Sequence, residues 1–218
     1  MGHKLGRYMM KNKSEEYLKD LLVRYPELCP CKDDILKAIE LIKTSFQNEG
    51  KLLLCGNGGS AADCDHIVGE LMKGFKKKRT LSKSMIDKIN DSNLTNQLQY
   101  GLPAISLVSQ TALTTAFSND QMPEAVFAQQ VLGYGKKEDV LLCISTSGNS
   151  KNCVYAAKVA KILNLKVISL TGNKKCDLQE LSDCIIQVPN DVTFRIQEYH
   201  LPIYHTICMI LEEEFFEE

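Results

Sequence analysis

The chain spells out the same local grammar twice. Lys51-Leu52-Leu53-Leu54-Cys55 runs into Gly56-Asn57-Gly58-Gly59-Ser60, and Asp139 through Ile144 runs into Ser145-Thr146-Ser147-Gly148-Asn149-Ser150. Each is an apolar run too short for a core helix, then small hydroxyl and glycine residues, then helix-forming sequence. Short unbroken apolar runs read as strands buried on both faces. Further runs of this kind lie at 104–108, 167–170 and 184–188, with helical patterns at 61–75, 124–133, 152–163 and 194–216. Alternating strands and helices of this composition fit a doubly wound α/β fold, a parallel sheet covered by helices on both faces. In such folds the ligand sits beyond the carboxyl ends of the strands, at the topological switch point. Free backbone N–H groups, hydroxyls and a helix N-terminus converge on each Gly/Ser loop, so a phosphorylated small molecule is the expected ligand.

The first 13 residues are polar and basic and are expected to be a disordered or vector-derived tail. Residues 14–218 read as one domain with an N-terminal helical extension. Helical patterns at 14–24 and 32–47 are separated by the breaker from Pro26 to Pro30. Ile35, Ile39, Ile42 and Phe46 form one apolar face that must pack on the body of the domain or on another subunit. Residues 76–101 break the strand-helix rhythm as an inserted segment. Met85, Ile86, Ile89, Leu94 and Leu98 give it partial amphipathic character, enough for a short helix and for a role as lid, subunit contact or plain surface excursion. The basic run Lys76-Lys77-Lys78-Arg79 reads as a solvated loop.

With 218 residues and 44% hydrophobic content the chain can bury a substantial core. A net charge of −1 provides no basic field for nucleic acid. Neither a signal peptide nor an apolar stretch near the roughly 20 residues of a membrane span is present, so a cytoplasmic protein without membrane contact is expected. The nine cysteines are odd in number, and Cys55, Cys143, Cys184 and Cys208 lie in apolar runs, where cysteine packs as a small hydrophobe. No C-x-x-C pair occurs, and Cys29-Pro30-Cys31 is too tight for a zinc knuckle. Gly56 through Ala61 fits G-x-G-x-x-A, yet no acidic residue ends a second strand about 20 residues on, so no nucleotide cofactor is expected.

Chemistry-bearing side chains gather in two helical stretches. His66 and Glu70, four apart, share a helix face, while Gln197, His200 and His205 lie in the otherwise apolar last helix. One reading is proton transfer: an aldose-ketose isomerisation through an enediol needs a carboxylate base over the carbon and an acid for the oxygens, supplied by Glu70 and a histidine of the last helix. The other is a mixed nitrogen and oxygen set, His66, Glu70, Gln197 and His205, suited to zinc or a similar divalent ion. Pro202, between Gln197 and His205, removes a helical hydrogen bond and is expected to kink the helix.

At these residues the chain resembles the sugar isomerase (SIS) domain family and, within it, the phosphoheptose isomerases. The resemblance rests on Cys55 through Ser60 with His66 and Glu70, on Ser118-Asn119-Asp120, on Ile144 through Ser150, on Leu170-Thr171-Gly172, and on Arg195-Ile196-Gln197-Glu198 with His205. It spans 14–214 apart from 76–101, which is longer than the family's usual connection. The resemblance implies a five-stranded parallel sheet and a homotetramer with sites between subunits. It implies that Ser60, Ser145, Thr146, Ser147 and Ser150 surround the phosphate, and that Asn57 and Asp120 contact the sugar, with Gly58, Gly59, Asn119 and Gln197 completing the substrate contacts. Glu70 would be the base and His205 the acid, with His200 as the second candidate. Where zinc is bound, its ligands would be His66, Glu70, Gln197 and His205. The implied reaction converts sedoheptulose 7-phosphate to D-glycero-D-manno-heptose 7-phosphate. Some proteins with this domain, including one that binds the bacterial replication initiator, keep the phosphate loops without the acid-base residues and serve as sensors or assembly factors. A pure binding module has no need of both Glu70 and His205, so the sequence favours catalysis.

Overall fold

The computed structural model describes residues 11–217. The tail expected over residues 1–13 lies outside the described residues as far as residue 10, and Lys11 is tied to Glu214 through its backbone N–H (3.1 Å). The helices are α1 (Asn12–Arg24), α2 (Lys32–Gln47), α3 (Gly59–Met72), α4 (Lys83–Ile89), α5 (Ser92–Thr95), α6 (Thr111–Asp120), α7 (Val126–Tyr134), α8 (Lys151–Ile162), α9 (Leu178–Leu181) and α10 (Thr193–Phe215). Five strands, β1 (Leu52–Gly56), β2 (Ala104–Ser106), β3 (Val140–Ile144), β4 (Lys166–Thr171) and β5 (Cys184–Gln187), form one parallel sheet in the order β2-β1-β3-β4-β5. The doubly wound five-stranded fold expected from the strand-helix alternation is therefore present.

Strand composition follows from coverage on both sides. Leu52, Leu54, Val140, Leu142, Ile144, Ile168 and Leu170 enter one core together with α1, α2, α3 and α10. Their alternates Leu53, Cys55, Leu141, Cys143 and Val167 enter a second core with α7 and α8. An unbroken apolar run is what period-two geometry demands when both faces are dry. The apolar face of α2, Ile35, Ile39, Ile42 and Phe46, packs within the first of these cores, on this chain's own body.

The order places the switch point between β1 and β3. The chain leaves β1 toward the β2 edge and leaves β3 toward β5, so the connections diverge and open a crevice at the carboxyl ends of both strands. Both Gly/Ser loops begin there.

The structure adds to or departs from the sequence reading at several points. Helix α6 had no counterpart in it, because none of its residues is buried and no apolar stripe marks it. Residues 76–101 carry two short helices rather than one: Ser82 accepts from Met85 N–H, and Asp91 accepts from Asn93 and Leu94 N–H. Helix α10 continues past Pro202 to Phe215, and Thr206 Oγ1 donates to the Pro202 carbonyl (2.8 Å). The basic run is not wholly solvated. Arg79 is buried and donates through Nε to Glu212 (2.9 Å), while its other nitrogens reach the carbonyls of Glu70 (3.1 Å) and Leu71. The last carbonyls of a helix have no partner within it, and the fork of Arg79 fills that need at the end of α3. Glu212 also accepts the backbone N–H groups of Phe75, Lys76 and Lys77.

Candidate active site

The first loop leaves β1 through Gly56, and Gly58, with φ 55°, turns the chain into α3. Gly59 opens that helix beneath Gln197, whose carboxamide occupies the space a side chain at Gly59 would need. Asn57, Gly58 and Gly59 are exposed and Ser60 is buried. The second loop turns at Gly148 (φ 65°), where a Cβ would overlap Cys176. Ser145 and Ser150 hydroxyls meet at 3.1 Å, and the Ser147 hydroxyl accepts from Asn149 N–H (3.2 Å). Ser150 stands at the N-cap of α8 without capping it through its side chain, so the first N–H groups of the helix and the hydroxyls of Ser145, Thr146, Ser147 and Ser150 share one mouth. Asn152, which the sequence reading did not single out, links the two loops: its carboxamide and that of Asn57 exchange hydrogen bonds of 2.8 and 2.9 Å.

Helix α3 then carries Asp63, His66 and Glu70 at i, i+3 and i+7, one stripe on the face toward α10. His66 Nε2 lies 3.2 Å from Glu70 Oε1 and 3.4 Å from His205 Nε2. On its other side, His66 Nδ1 lies 3.0 Å from the Tyr204 hydroxyl, which donates to Asp63 Oδ1 at 3.2 Å. The rings of His66, Tyr204 and Phe75 surround His205 with centroids 4.9 to 5.6 Å away. Burial, followed by the neighbouring His66, lowers the His205 pKa, with Glu70 opposing. His205 is thus a neutral imidazole at neutral pH, with one N–H to give and one lone pair to receive.

Among the described residues, no other expected side chain is hydrogen-bonded to this trio. Gln197 rests over Gly59, seven residues and about 10 Å of helix before His66. Asn119 and Asp120 sit exposed at the end of α6, where the Asn119 carboxamide donates to Asp120 (2.9 Å). His200 is fully buried and its ring nitrogens have no well-formed hydrogen bond. Burial lowers its pKa to about 4, against a smaller opposing effect of the Thr171 backbone. It is a neutral core residue, unsuited to the role of second acid. Asp65, unforeseen, accepts from the Ser109 hydroxyl across to the loop after β2.

Among the described residues no three imidazole, carboxylate or thiol groups are closed around a single point. The two separations at His66 Nε2, 3.4 and 3.2 Å, nonetheless match the edge of a tetrahedron, about 3.3 Å, whose ligands lie about 2.0–2.1 Å from its centre. The three side chains, two imidazoles and a carboxylate, are donors of the kind a zinc-type ion takes, gathered at His66 without being closed around one point.

Among the described residues no helix is long and apolar enough to cross a membrane. A family model described as the SIS domain matches residues 16–172. The chain is 41% identical over 179 residues to a phosphoheptose isomerase of Helicobacter pylori, covering 82% of this chain and 83% of the other. It is 39% identical over 184 residues to phosphoheptose isomerase 1 of Campylobacter jejuni, covering 84% and 88%. Among solved structures, a phosphoheptose isomerase from Francisella tularensis superposes with a TM-score of 0.74 at 30% identity, covering 92% of this chain and 97% of that one. One from Neisseria gonorrhoeae gives 0.69 at 31%, covering 92% of each.

Proposed function

Because the chain belongs to the SIS domain family, and within it to the phosphoheptose isomerases, we propose that it interconverts sedoheptulose 7-phosphate and D-glycero-D-manno-heptose 7-phosphate. The observation that carries this reading is the placement of Glu70, His66 and His205 along the helix that the first loop launches, beside a second loop rich in hydroxyls. Ser60, Ser145, Thr146, Ser147 and Ser150 hold the phosphate. Asn57, Gly58, Gly59, Asn119, Asp120 and Gln197 take the sugar chain.

In the ketose-to-aldose direction Glu70 removes a proton from C1. The C1–H electron pair becomes the C1=C2 bond of the enediol while the C2 oxygen is protonated. Loss of the O1 proton then makes C1 the carbonyl, and the proton held by Glu70 returns to C2. Atoms and electrons balance without a nucleotide cofactor. His205, neutral and able both to give and to accept, serves the two oxygens. His66, Glu70 and His205 would hold a zinc-type ion, which when bound supplies positive charge near the carbonyl oxygen. Gln197, whose carboxamide lies over Gly59, is proposed both as a substrate contact and as the fourth donor to that ion.

The proposal extends to a homotetramer in the cytoplasm with sites near subunit contacts. Supporting it are apolar side chains left in the open, Met72 (49% exposed), Ile86 (40%) and Leu94 (47%), and nine free thiols, which suit a reducing compartment. Light scattering of the purified protein should give the mass of four 24.5 kDa chains; the mass of one chain would overturn the assembly. For the activity, protein incubated with sedoheptulose 7-phosphate, with and without zinc, should yield an aldoheptose phosphate by NMR. Glu70→Gln should lower kcat by about 10² to 10⁴ while ligand binding survives. A wild type inert toward five- to seven-carbon ketose phosphates sinks the isomerase reading.

A further inference from the structure

His66 is held from behind as well as in front. Its Nε2 faces Glu70 and His205, and its Nδ1 faces the hydroxyl of Tyr204 at 3.0 Å. Tyr204 is 2% exposed, so its hydroxyl has little recourse to water. Its proton goes to Asp63 Oδ1 at 3.2 Å, and the other carboxylate oxygen, Oδ2, is buried without a hydrogen-bond partner. A carboxylate has no proton to give. Tyr204 donates to Asp63, so the tyrosine oxygen is left to accept and favours a proton on Nδ1, in competition with the Glu70 carboxylate, which favours one on Nε2.

We propose that Asp63 and Tyr204 are positioning residues that hold His66 in the Nδ1–H tautomer and present the Nε2 lone pair to Glu70 and His205. The consequence is visible in front of the ring. A lone pair on Nε2 lies 3.2 Å from a carboxylate oxygen, an arrangement of two acceptors that repel unless something positive stands between them. This is the electrostatic condition for recruiting a divalent ion, and a ring fixed by an outer hydrogen bond binds one without first paying to orient itself. The geometry adds a mechanical restraint, since Asp63 and His66 stand on α3 while Tyr204 and His205 are neighbours on α10. One hydroxyl thus sets the aim of both imidazoles relative to each other.

The inference rests on the zinc-binding reading of the site only in its consequence for metal affinity; the tautomer stands apart from it. The test uses metal-free full-length protein labelled with ¹³C,¹⁵N-histidine, at a pH of about 8, where ordinary imidazoles are neutral. Wild-type His66 should show the shifts of the Nδ1–H tautomer. Tyr204→Phe, which keeps the ring and removes the hydroxyl, should abolish that preference. Asp63→Asn should weaken it, because an amide can donate and so reverse the chain. In a competition assay with a chromogenic chelator each variant should bind zinc about 10- to 100-fold more weakly than wild type, with thermal unfolding of Tyr204→Phe confirming a folded chain. An Nε2–H tautomer in wild type, or an Nδ1–H tautomer unchanged in both variants, overturns the proposal. Wild-type protein that takes up no zinc sinks the metal reading instead, and the tautomer is then decided by the NMR alone.

Discussion

Asn57 and Asn152 clasp each other across the switch point of the sheet, Nδ2 of each donating to Oδ1 of the other at 2.9 and 2.8 Å. One belongs to the loop after β1 and the other to the first turn of α8, so a paired carboxamide ties the loop that begins the acid-base helix to the loop built around hydroxyls. On the proposed placement of the phosphate and the sugar chain, the pair sets the distance between their two loops. Asn152→Ala should therefore raise KM for the phosphosugar by about tenfold, the equivalent of roughly 1.4 kcal/mol, with a smaller change in kcat. Steady-state kinetics read this directly; an unchanged KM would show that the clasp plays no part in placing the substrate.

The hydroxyl pair of Ser145 and Ser150, 3.1 Å apart, makes a narrower prediction. Among the described residues the two hydroxyls are each other's side-chain partner, and on the proposed reading both turn to the phosphate oxygens when substrate arrives. Ser145→Ala combined with Ser150→Ala should weaken inhibition by inorganic phosphate and raise KM by similar factors, about 10²- to 10⁴-fold, since each of the two hydrogen bonds to a charged group contributes about 1.5–3 kcal/mol. Loss of activity with phosphate inhibition intact would place the phosphate elsewhere.

What could be read in the sequence was whatever is local. The strand ends, the loops and the bounds of α2 are written in neighbouring residues, because a buried strand needs an apolar run and a loop that admits an anion needs small residues just after it. His66 and Glu70 could be paired from a spacing of four, and His205 could be named beside them. Helix α6 could not be read, since a helix with no fully buried residue, only Phe117 resting partly on the second core, carries no clear apolar period. The burial of Arg79 was hidden for another reason, its partner Glu212 lying 133 residues on. His200 and His205 look alike in an apolar helix, and only packing separates the core imidazole from the one that meets His66. Asp63 and Tyr204 had a local signal, the i, i+3, i+7 stripe and the position beside His205, but its meaning depends on α3 and α10 lying side by side.

Arg79 and Glu212 are both almost fully buried, at 0% and 2% side-chain exposure. Removing one partner leaves a charge without compensation, which costs about 3–5 kcal/mol. Arg79→Met should therefore lower unfolding stability in urea by about that amount and loosen the end of α3 that carries Glu70, with faster amide exchange at residues 70–72. A double-mutant cycle with Glu212→Gln should give a coupling of about 0.5–3 kcal/mol. Additive effects would mean that each residue acts through its backbone contacts alone.

His200 makes stability depend on pH in a direction opposite to that of an ion-paired histidine. Burial lowers its pKa from the usual 6.5 to about 4 in the folded chain. Above 6.5 the ring is neutral in both states and contributes no pH dependence. Below 6.5 the unfolded chain takes up a proton that the folded chain refuses, so unfolding is coupled to proton uptake and stability falls with pH until the folded ring is protonated near 4. The full effect is on the order of 3 kcal/mol. Carboxylates whose pKa is lowered by their partners, Asp183 and Glu214, add losses of the same sign only toward the acid end, and the half-buried His205 contributes in the same sense as His200. A variant isolates the term: between pH 7 and 5 the urea midpoint of wild type should drop more steeply than that of His200→Leu, whatever the variant's absolute stability. Parallel slopes would mean that the buried ring finds a partner for its proton in the folded state, and that His200 is not the neutral core residue its surroundings make it.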